Sequence, residues 1–144
     1  MRTEFDSPII LLGARLLSPY IMLIGLYVIF HGHYSPGGGF QGGALLAASI
    51  LLVRLSGGKV TDPLQIKESI TTPMASLGVL IYFGTGFAAI LAGGLFLDYE
   101  MLPLGMDPAY LRNTGILIIE IGIGLAVMAV LIMIFDNMVR GEDL

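Results

Sequence analysis

Long apolar runs separated by short polar or glycine-rich connections dominate this chain. A helix needs about 20 apolar residues to cross the roughly 30 Å hydrocarbon core of a bilayer. Four segments approach or meet that length: about 9–30, 38–55, 75–97 and 114–135. None alternates strictly between apolar and polar positions, which disfavours strands of a membrane barrel. We predict an all-α integral membrane protein with four transmembrane helices, forming a single domain over residues 1–144.

The composition supports this prediction and excludes several classes of protein. Hydrophobic residues make up 56% of the chain and charged residues only 12%, against roughly a quarter charged in soluble domains. There is no cysteine, so neither a disulfide framework nor a thiolate metal site can form. The seven basic residues are scattered, so the chain has no stripe that could neutralise a nucleic-acid backbone.

The distribution of basic residues predicts the orientation. With four spans, both termini lie on the same side, and that side carries five basic residues against Arg112 alone on the other side: Arg2, Arg54, Lys59, Lys67 and Arg140. Because basic residues accumulate in cytoplasmic segments, we expect cytoplasmic N and C termini. The first helix is too long for a removable signal peptide and lacks a small-residue cleavage site, so we expect it to remain in the mature chain.

The first connection, at the expected outer face, reads HGHYSPGGGFQGG over residues 31–43. Proline there cannot continue the first helix, consecutive glycines permit a tight turn, and later glycines give the second helix a small packing face. Unpaired N–H groups at such a glycine-rich helix start can attract an anion. The residues of this structural motif are Pro36, Gly37, Gly38, Gly39, Phe40, Gln41, Gly42 and Gly43.

The chemistry of this connection leaves several interpretations open. A phosphate-binding loop would need a lysine and a Ser or Thr after the glycines, and neither follows. His31 and His33 alone do not complete a metal site. The two imidazoles either relay protons at the outer mouth or serve as ordinary hydrogen-bonding groups of a packing turn.

Charged residues inside the predicted spans need their own explanation because an intramembrane charge is costly. Glu120 is the only acidic residue within a predicted span, and Arg15 lies near the inner end of the first. Glu120 either lines a hydrated cavity and alternately holds a proton or Na⁺, or fixes a contact with a neighbouring helix, or lies at the interface. We predict no direct ion pair between Glu120 and Arg15, because they lie towards opposite faces. Pro19 predicts a kink in the first helix beside Arg15.

The segment GHYSPGGGFQGG, followed by an alanine- and leucine-rich helix, closely resembles the signature of the MnhB family, a small component of the Mrp (Mnh) multisubunit Na⁺/H⁺ antiporters. The resemblance covers nearly the whole chain and includes GLYVIFHGH before the signature and the acid in GILIIEIGIGLAV. It implies a small helical protein with termini inside. In one respect the chain departs from the family, in which aspartate is more frequent than glutamate at position 120.

The resemblance implies a noncatalytic subunit that helps to shape an ion path between larger subunits, which carry the main proton channels. The alternative is the equivalent subunit of a membrane-bound hydrogenase or a related respiratory redox complex. The expected partners are the other subunits, membrane lipid, and Na⁺ and H⁺ as transported ions, in the plasma membrane of a prokaryote. We expect no cofactor, no metal and no enzymatic activity of the chain itself, since no nucleophile, base and orienting group occur together. The candidate ion-path residues are Glu120, Arg15, His31 and His33.

Overall fold

Four α-helices and one short 3₁₀ turn make up the described part of the protein. The structure is a computed structural model and describes residues 7–32, 34, 37–57, 65–105 and 107–141. Of residues 140 and 141 it describes the backbone only. The helices are α1 (Pro8–Phe30), α2 (Gly39–Leu55), α3 (Glu68–Leu91) and α4 (Pro108–Gly141), and the 3₁₀ turn is Tyr99–Met101. No strand occurs within these ranges, as the apolar pattern predicts.

Length and composition allow three helices, α1, α3 and α4, to cross a membrane, and α2 is a shorter apolar helix of 17 residues. At 1.5 Å per residue α2 is about 25 Å long, slightly less than a typical hydrocarbon core. The all-helical membrane fold with four helices is therefore confirmed. The single domain and the cytoplasmic termini stay predictions.

The predicted bounds of the last two helices were wrong, for identifiable reasons. The predicted start at residue 75 followed from assigning the polar stretch of about 56–73 to a connection, but α3 begins at Glu68 and contains Pro73. It ends at Leu91 instead of residue 97, because Gly93 adopts a positive φ of 94°, which reverses the chain at little steric cost. Helix α4 continues in both directions beyond the predicted 114–135, through polar residues that hydropathy alone assigns to loops.

The helices pack side by side in the order α1, α2, α4, α3. Within the described residues α3 contacts α4 and the 3₁₀ turn but neither α1 nor α2, while α1 packs mainly on α2 and touches α4 slightly. Helices α2 and α4 run parallel, since Gly39 lies beside Glu120 and Gly43 beside Gly124. The result is an open row with large exposed apolar faces on α1 and α3.

Small residues allow the backbones of this row to approach closely. A Cβ added at Gly43 would lie 2.6 Å from the carbonyl oxygen of Gly124, and one added at Gly42 would lie 2.7 Å from that of Gly25. A Cβ added at Gly78 of α3 would lie 2.7 Å from the backbone nitrogen of Ala126. Such contacts are typical of helices that associate in membranes, where apolar side chains gain little by leaving lipid.

Candidate functional site

The carboxylate of Glu120 lies at the N-terminus of α2. It accepts a short hydrogen bond from the backbone N–H of Gly39, the first residue of that helix. Glu120 is half-buried and Gly39 is buried. The first N–H groups of any helix lack partners within the helix and carry partial positive charge, so an anion is stabilised there. The anion that the glycine-rich helix start attracts is thus a side chain of the same chain, 81 residues away.

The glycines around Glu120 provide the space for its carboxylate. A Cβ added at Gly38 would overlap the carboxylate itself, and one added at Gly32 would lie 2.9 Å from the carboxyl carbon. At Gly39 the added atom would lie 2.9 Å from the Cβ of Ile123. The φ of Gly38 is −164°, an extended conformation that any residue adopts, so this glycine is needed for space and not for backbone freedom.

Of the other described residues of the first connection, some stabilise the start of α2 and others lie at the protein surface. The side-chain Oε1 of Gln41 accepts a hydrogen bond of 2.9 Å from the N–H of Gly38, which satisfies a second donor at the helix start. Phe40 is 67% exposed, and Gly37 lies against Gln41. The predicted motif residue Pro36 and the candidate His33 lie outside the described residues.

His31 lies at the C-terminal end of α1, on the surface. Its ring stacks on Tyr27 with 4.0 Å between ring centroids, and its Nδ1 lies 3.1 Å from the carbonyl oxygen of Tyr27. These contacts fit the interpretation of an ordinary hydrogen-bonding group in a turn. The proton-relay role of His31 stays a prediction.

Arg15 and Glu120 lie far apart. Glu120 is level with Gly32, just after the end of α1, whereas Arg15 lies near its start. The roughly 17 residues between Arg15 and Gly32 correspond to about 25 Å along a helix. Arg15 is exposed on α1, so it is not part of the cluster around Glu120. Near Pro19, the buried hydroxyl of Ser18 donates a 2.9 Å hydrogen bond to the carbonyl of Ser49 on α2, which ties the two helices together.

Tyr99 lies in the 3₁₀ turn between α3 and α4 and packs on α4. Its ring packs on Gly115 of α4, where an added Cβ would lie 2.8 Å from the ring carbon Cγ, and it packs against the buried cluster of Ala89, Leu102 and Leu111. Burial raises the pKa of the Tyr99 hydroxyl above its usual value, and Tyr82 and Glu120 raise it further. Tyr99 and Tyr82 were not recognised from the sequence, because an aromatic residue in a loop or an apolar helix gives no specific signal.

A second polar cluster, also missed, lies at the other end of α2. The guanidinium of Arg54 forms a salt bridge and short hydrogen bond with Asp136 of α4, and its side chain is only 7% exposed. Arg54 also donates a 2.9 Å hydrogen bond to Gln65 and another to the carbonyl of Ile66. The sequence pattern placed Asp136 just beyond the last span and therefore outside the set of intramembrane charges.

Apolar side chains separate the two polar clusters. The interface between α1, α2 and α4 is filled by Ile29, Leu46, Ala47, Ile50, Met128 and Ile132. Ile50 and Ile132 are both fully buried. From Glu120 to Asp136 the roughly 16 residues of α4 correspond to about 24 Å. Within the described part of the chain, the hydroxyls of Ser18 and Ser49 are the buried polar side chains between α1 and α2, and the packed apolar residues around them leave no continuous polar route from one cluster to the other.

Comparisons with known proteins agree with this architecture. Residues 9–133 match the family model described as a domain related to the MnhB subunit of Na⁺/H⁺ antiporter. The B-type Na⁺/H⁺ antiporter subunit of Alkalihalophilus pseudofirmus is 33% identical over 125 residues, which cover 79% of this chain and 84% of that protein. An uncharacterized protein of Methanocaldococcus jannaschii is 32% identical over 128 residues, covering 85% of this chain but 48% of that protein.

A solved structure is also similar. A chain of the membrane-bound sulfane sulfur reductase, an archaeal respiratory membrane complex, matches with a TM-score of 0.72 and 30% identity over 96% of this chain and 60% of that chain. The protein thus spans about half of the Methanocaldococcus relative and three fifths of the reductase chain. Since the family model covers most of the sequence and all or most of each of the four helices, the chain belongs to the MnhB family and is a multi-pass membrane protein of a prokaryotic plasma membrane.

Proposed function

We propose that this protein is the MnhB-type subunit of a multisubunit Na⁺/H⁺ antiporter, and that its Glu120 site forms one wall of an ion path completed by neighbouring subunits. The observation that carries this proposal is the match of residues 9–133 to the MnhB family. Relatives that align over most of their length are named as subunits of such antiporters.

The packing of the chain favours a contribution to a path over transport by this subunit alone. Its two polar clusters lie at opposite ends of α2, and the interface between them is mainly apolar, with the hydrogen-bonded Ser18 and Ser49 as its buried polar side chains. An ion crossing the membrane needs a continuous series of polar groups or water. The exposed faces of the open row offer positions for the partners that would supply the remaining groups.

The surroundings of Glu120 suit a group that exchanges a proton or a cation. The helix N-terminus stabilises the carboxylate anion, whereas the apolar membrane environment opposes its charge. These two influences act on the charge of the carboxylate in opposite directions. The site is therefore compatible both with the carboxylate anion and with a carboxyl group neutralised by a proton or by Na⁺. The half-buried position of Glu120 leaves part of the side chain accessible.

A second candidate function is supported by the similarity to a respiratory membrane complex. In that case the same chain would serve as an ion-translocating subunit of a redox-driven assembly. The host complex would then carry the redox chemistry, and this subunit would keep the same role. Identification of the subunits that copurify with the chain would distinguish the two candidates.

Replacement of Glu120 by Gln tests the proposed site. Glu120→Gln keeps the size of the side chain and removes its charge, so we expect the intact complex to assemble but to lose at least about 90% of its Na⁺/H⁺ exchange. Exchange is measured in membrane vesicles by the quenching of a pH-sensitive dye after addition of Na⁺, and assembly by copurification of the subunits.

The matched control is Glu100→Gln. Glu100 is an exposed glutamate that pairs with Arg112 at the protein surface, so its replacement should leave exchange unchanged. Normal exchange in an assembled Glu120→Gln complex would contradict the ionic role and would leave Glu120 as a contact between helices only.

A further inference from the structure

One side of α1 faces away from the rest of the described chain and carries two tyrosines. Tyr20 and Tyr27 are 66% and 61% exposed, and Leu16 and Leu23 of the same side are 60% and 63% exposed. Their successive spacings of four, three and four residues place the four side chains in one row along the helix. Ser18, which is buried against α2, precedes Tyr20 by two residues and thus lies about 200° away around α1. We call the row of Leu16, Tyr20, Leu23 and Tyr27 the tyrosine face.

Tyr20 lies near the middle of the membrane span. Helix α1 runs from Pro8 to Phe30, so Tyr20 is about 18 Å from its start and about 15 Å from its end. The side chain is too short to reach the headgroups on either side, where tyrosines of membrane proteins are normally concentrated. Within the described residues the Tyr20 hydroxyl has no hydrogen-bond partner. A polar group left in this state in hydrocarbon is costly.

The exposed side of α3 provides a comparison within the same molecule. Leu77, Leu80 and Phe87 are 51%, 67% and 56% exposed, and they form a row of similar spacing on the side of α3 away from α4. This row carries no polar side chain. The hydroxyl of Thr85, elsewhere on α3, donates a 2.8 Å hydrogen bond to the carbonyl of Ile81 in its own helix. The exposed side of α3 is therefore suited to lipid, whereas the tyrosine face of α1 is not.

We propose that the tyrosine face is an interface of the assembled complex and packs on a transmembrane helix of a neighbouring subunit. Side chains or free carbonyls of that helix accept hydrogen bonds from the hydroxyls of Tyr20 and Tyr27. Acyl chains cannot supply such acceptors, and membrane helices pack along rows of this spacing at crossing angles of about 20°. The complementary polar groups thus identify a helix as the occupant.

This inference rests on the proposed function only in that it needs a multisubunit host complex. It adds to that function the side of the chain on which a neighbour docks, and it applies equally to an antiporter and to a redox-driven assembly. Helix α3 forms the opposite edge of the row of helices and faces lipid.

Photocrosslinking in the complete complex tests the interface. The photoreactive residue p-benzoylphenylalanine replaces Tyr20, Tyr27 or Leu23 one at a time, and membranes are then irradiated. We expect all three positions to form a covalent product with the same neighbouring subunit, identified by mass spectrometry. The Leu23 variant keeps both hydroxyls, so it tests the face even if the loss of a tyrosine prevents assembly.

The matched control places the same photoreactive residue at Phe87, which should give products with lipid and none with protein. Products with lipid alone from the tyrosine face would overturn the proposal, and so would products that join two copies of this chain. Crosslinking does not depend on ion exchange. Its failure therefore leaves the result of Glu120→Gln untouched, and normal exchange in Glu120→Gln leaves the interface intact.

The contribution of the hydroxyls is tested by Tyr20→Phe and Tyr27→Phe, which keep the rings. We expect each to shift the equilibrium for release of this chain from the purified complex about threefold towards release, the effect of an average hydrogen bond between membrane helices. Native gels after dilution into detergent measure the released fraction. Tyr110→Phe removes the hydroxyl of a 69% exposed tyrosine near the start of α4 and should change nothing. Equal release from all three variants would mean that the hydroxyls bind no neighbour.

Discussion

At the residue scale, the site depends on the absence of side chains as much as on their presence. The Glu120 carboxylate occupies the volume that a Cβ of Gly38 would fill, and it also lies close to Gly32. The carboxylate reaches the first N–H of α2 because Gly32 and Gly38, which lie against it, have no side chains. The glycine-rich signature and the acid of the last helix therefore form one structural unit.

This dependence makes Gly38→Ala a sharp test. The added methyl group should displace the Glu120 carboxylate from the N–H of Gly39 and reduce exchange nearly as much as Glu120→Gln does. Helix α2 should remain, since Gly38 is its N-cap residue and the helix itself, Gly39–Leu55, is unchanged. Exchange in vesicles and subunit copurification are the measurements.

Gly84→Ala is the control for that experiment. An added Cβ at Gly84 of α3 meets nothing within 4 Å, so the same chemical change should leave exchange at its normal rate. If Gly38→Ala also exchanged normally, the hydrogen bond to Gly39 would be dispensable for transport.

The sequence predicted the individual site residues better than their contacts. The glycines of the first connection and Glu120 were singled out separately, because each is unusual in an apolar chain. Their contact joins residues 81 positions apart, and no local pattern reports such a distance. Asp136 was missed for a related reason: hydropathy ends the span before it, although its pairing with Arg54 allows the helix to continue.

At the element scale, α2 is attached to α4 at both ends. Glu120 lies at its N-terminus and Arg54, in its last turn, binds Asp136. A negative group at the start and a positive group at the end of a helix both complement its dipole. The two attachments compensate for the short length of α2, which is marginal for a membrane span.

We expect Arg54→Met to destabilise the protein strongly. The substitution leaves Asp136, whose side chain is 18% exposed, without its charged partner, and breaking a buried pair in this way costs about 3–5 kcal/mol. A fall of several degrees in the thermal midpoint of the purified complex, or a lower amount of complex in membranes, would show it.

Arg112→Met provides the comparison. The Arg112–Glu100 pair is 62% and 45% exposed, and exposed pairs contribute at most about 1 kcal/mol, so its loss should change the midpoint little. Equal effects of the two substitutions would mean that the Arg54–Asp136 pair has no special stabilising role. The double variant Arg54→Met with Asp136→Leu should recover part of the lost stability, because it leaves no unpaired charge.

At the scale of the whole molecule, the sequence predicted four helices but not their arrangement. Each helix is apolar on most of its surface, so its pattern does not identify the face that packs on a neighbour. The row α1, α2, α4, α3 is instead set by the positions where glycines allow backbone contact, such as Gly42 on Gly25 and Gly78 on Gly122. Small residues on an apolar helix do not by themselves reveal which helix they face: a Cβ added at Gly84 meets none of the described residues within 4 Å.

The predicted orientation can be measured directly because the chain has no cysteine. Single substitutions Tyr34→Cys, after α1, and Gly57→Cys, after α2, place one thiol at each end of the row. With cytoplasmic termini, a membrane-impermeant maleimide added to intact cells should label only Tyr34→Cys. Labelling of Gly57→Cys alone would reverse the orientation, and permeabilised cells provide the control in which both thiols react.

The two attachments between α2 and α4 also limit how this protein can move. The pair runs in one direction with a nearly constant offset of 81 to 82 residues, from Gly39 and Glu120 to Arg54 and Asp136. A slide of either helix along the other would break both attachments at once, because neither can adjust independently. In the proposed function, α2 and α4 therefore act as one rigid pair, within which a proton or a side-chain tip can change position without a slide of either helix.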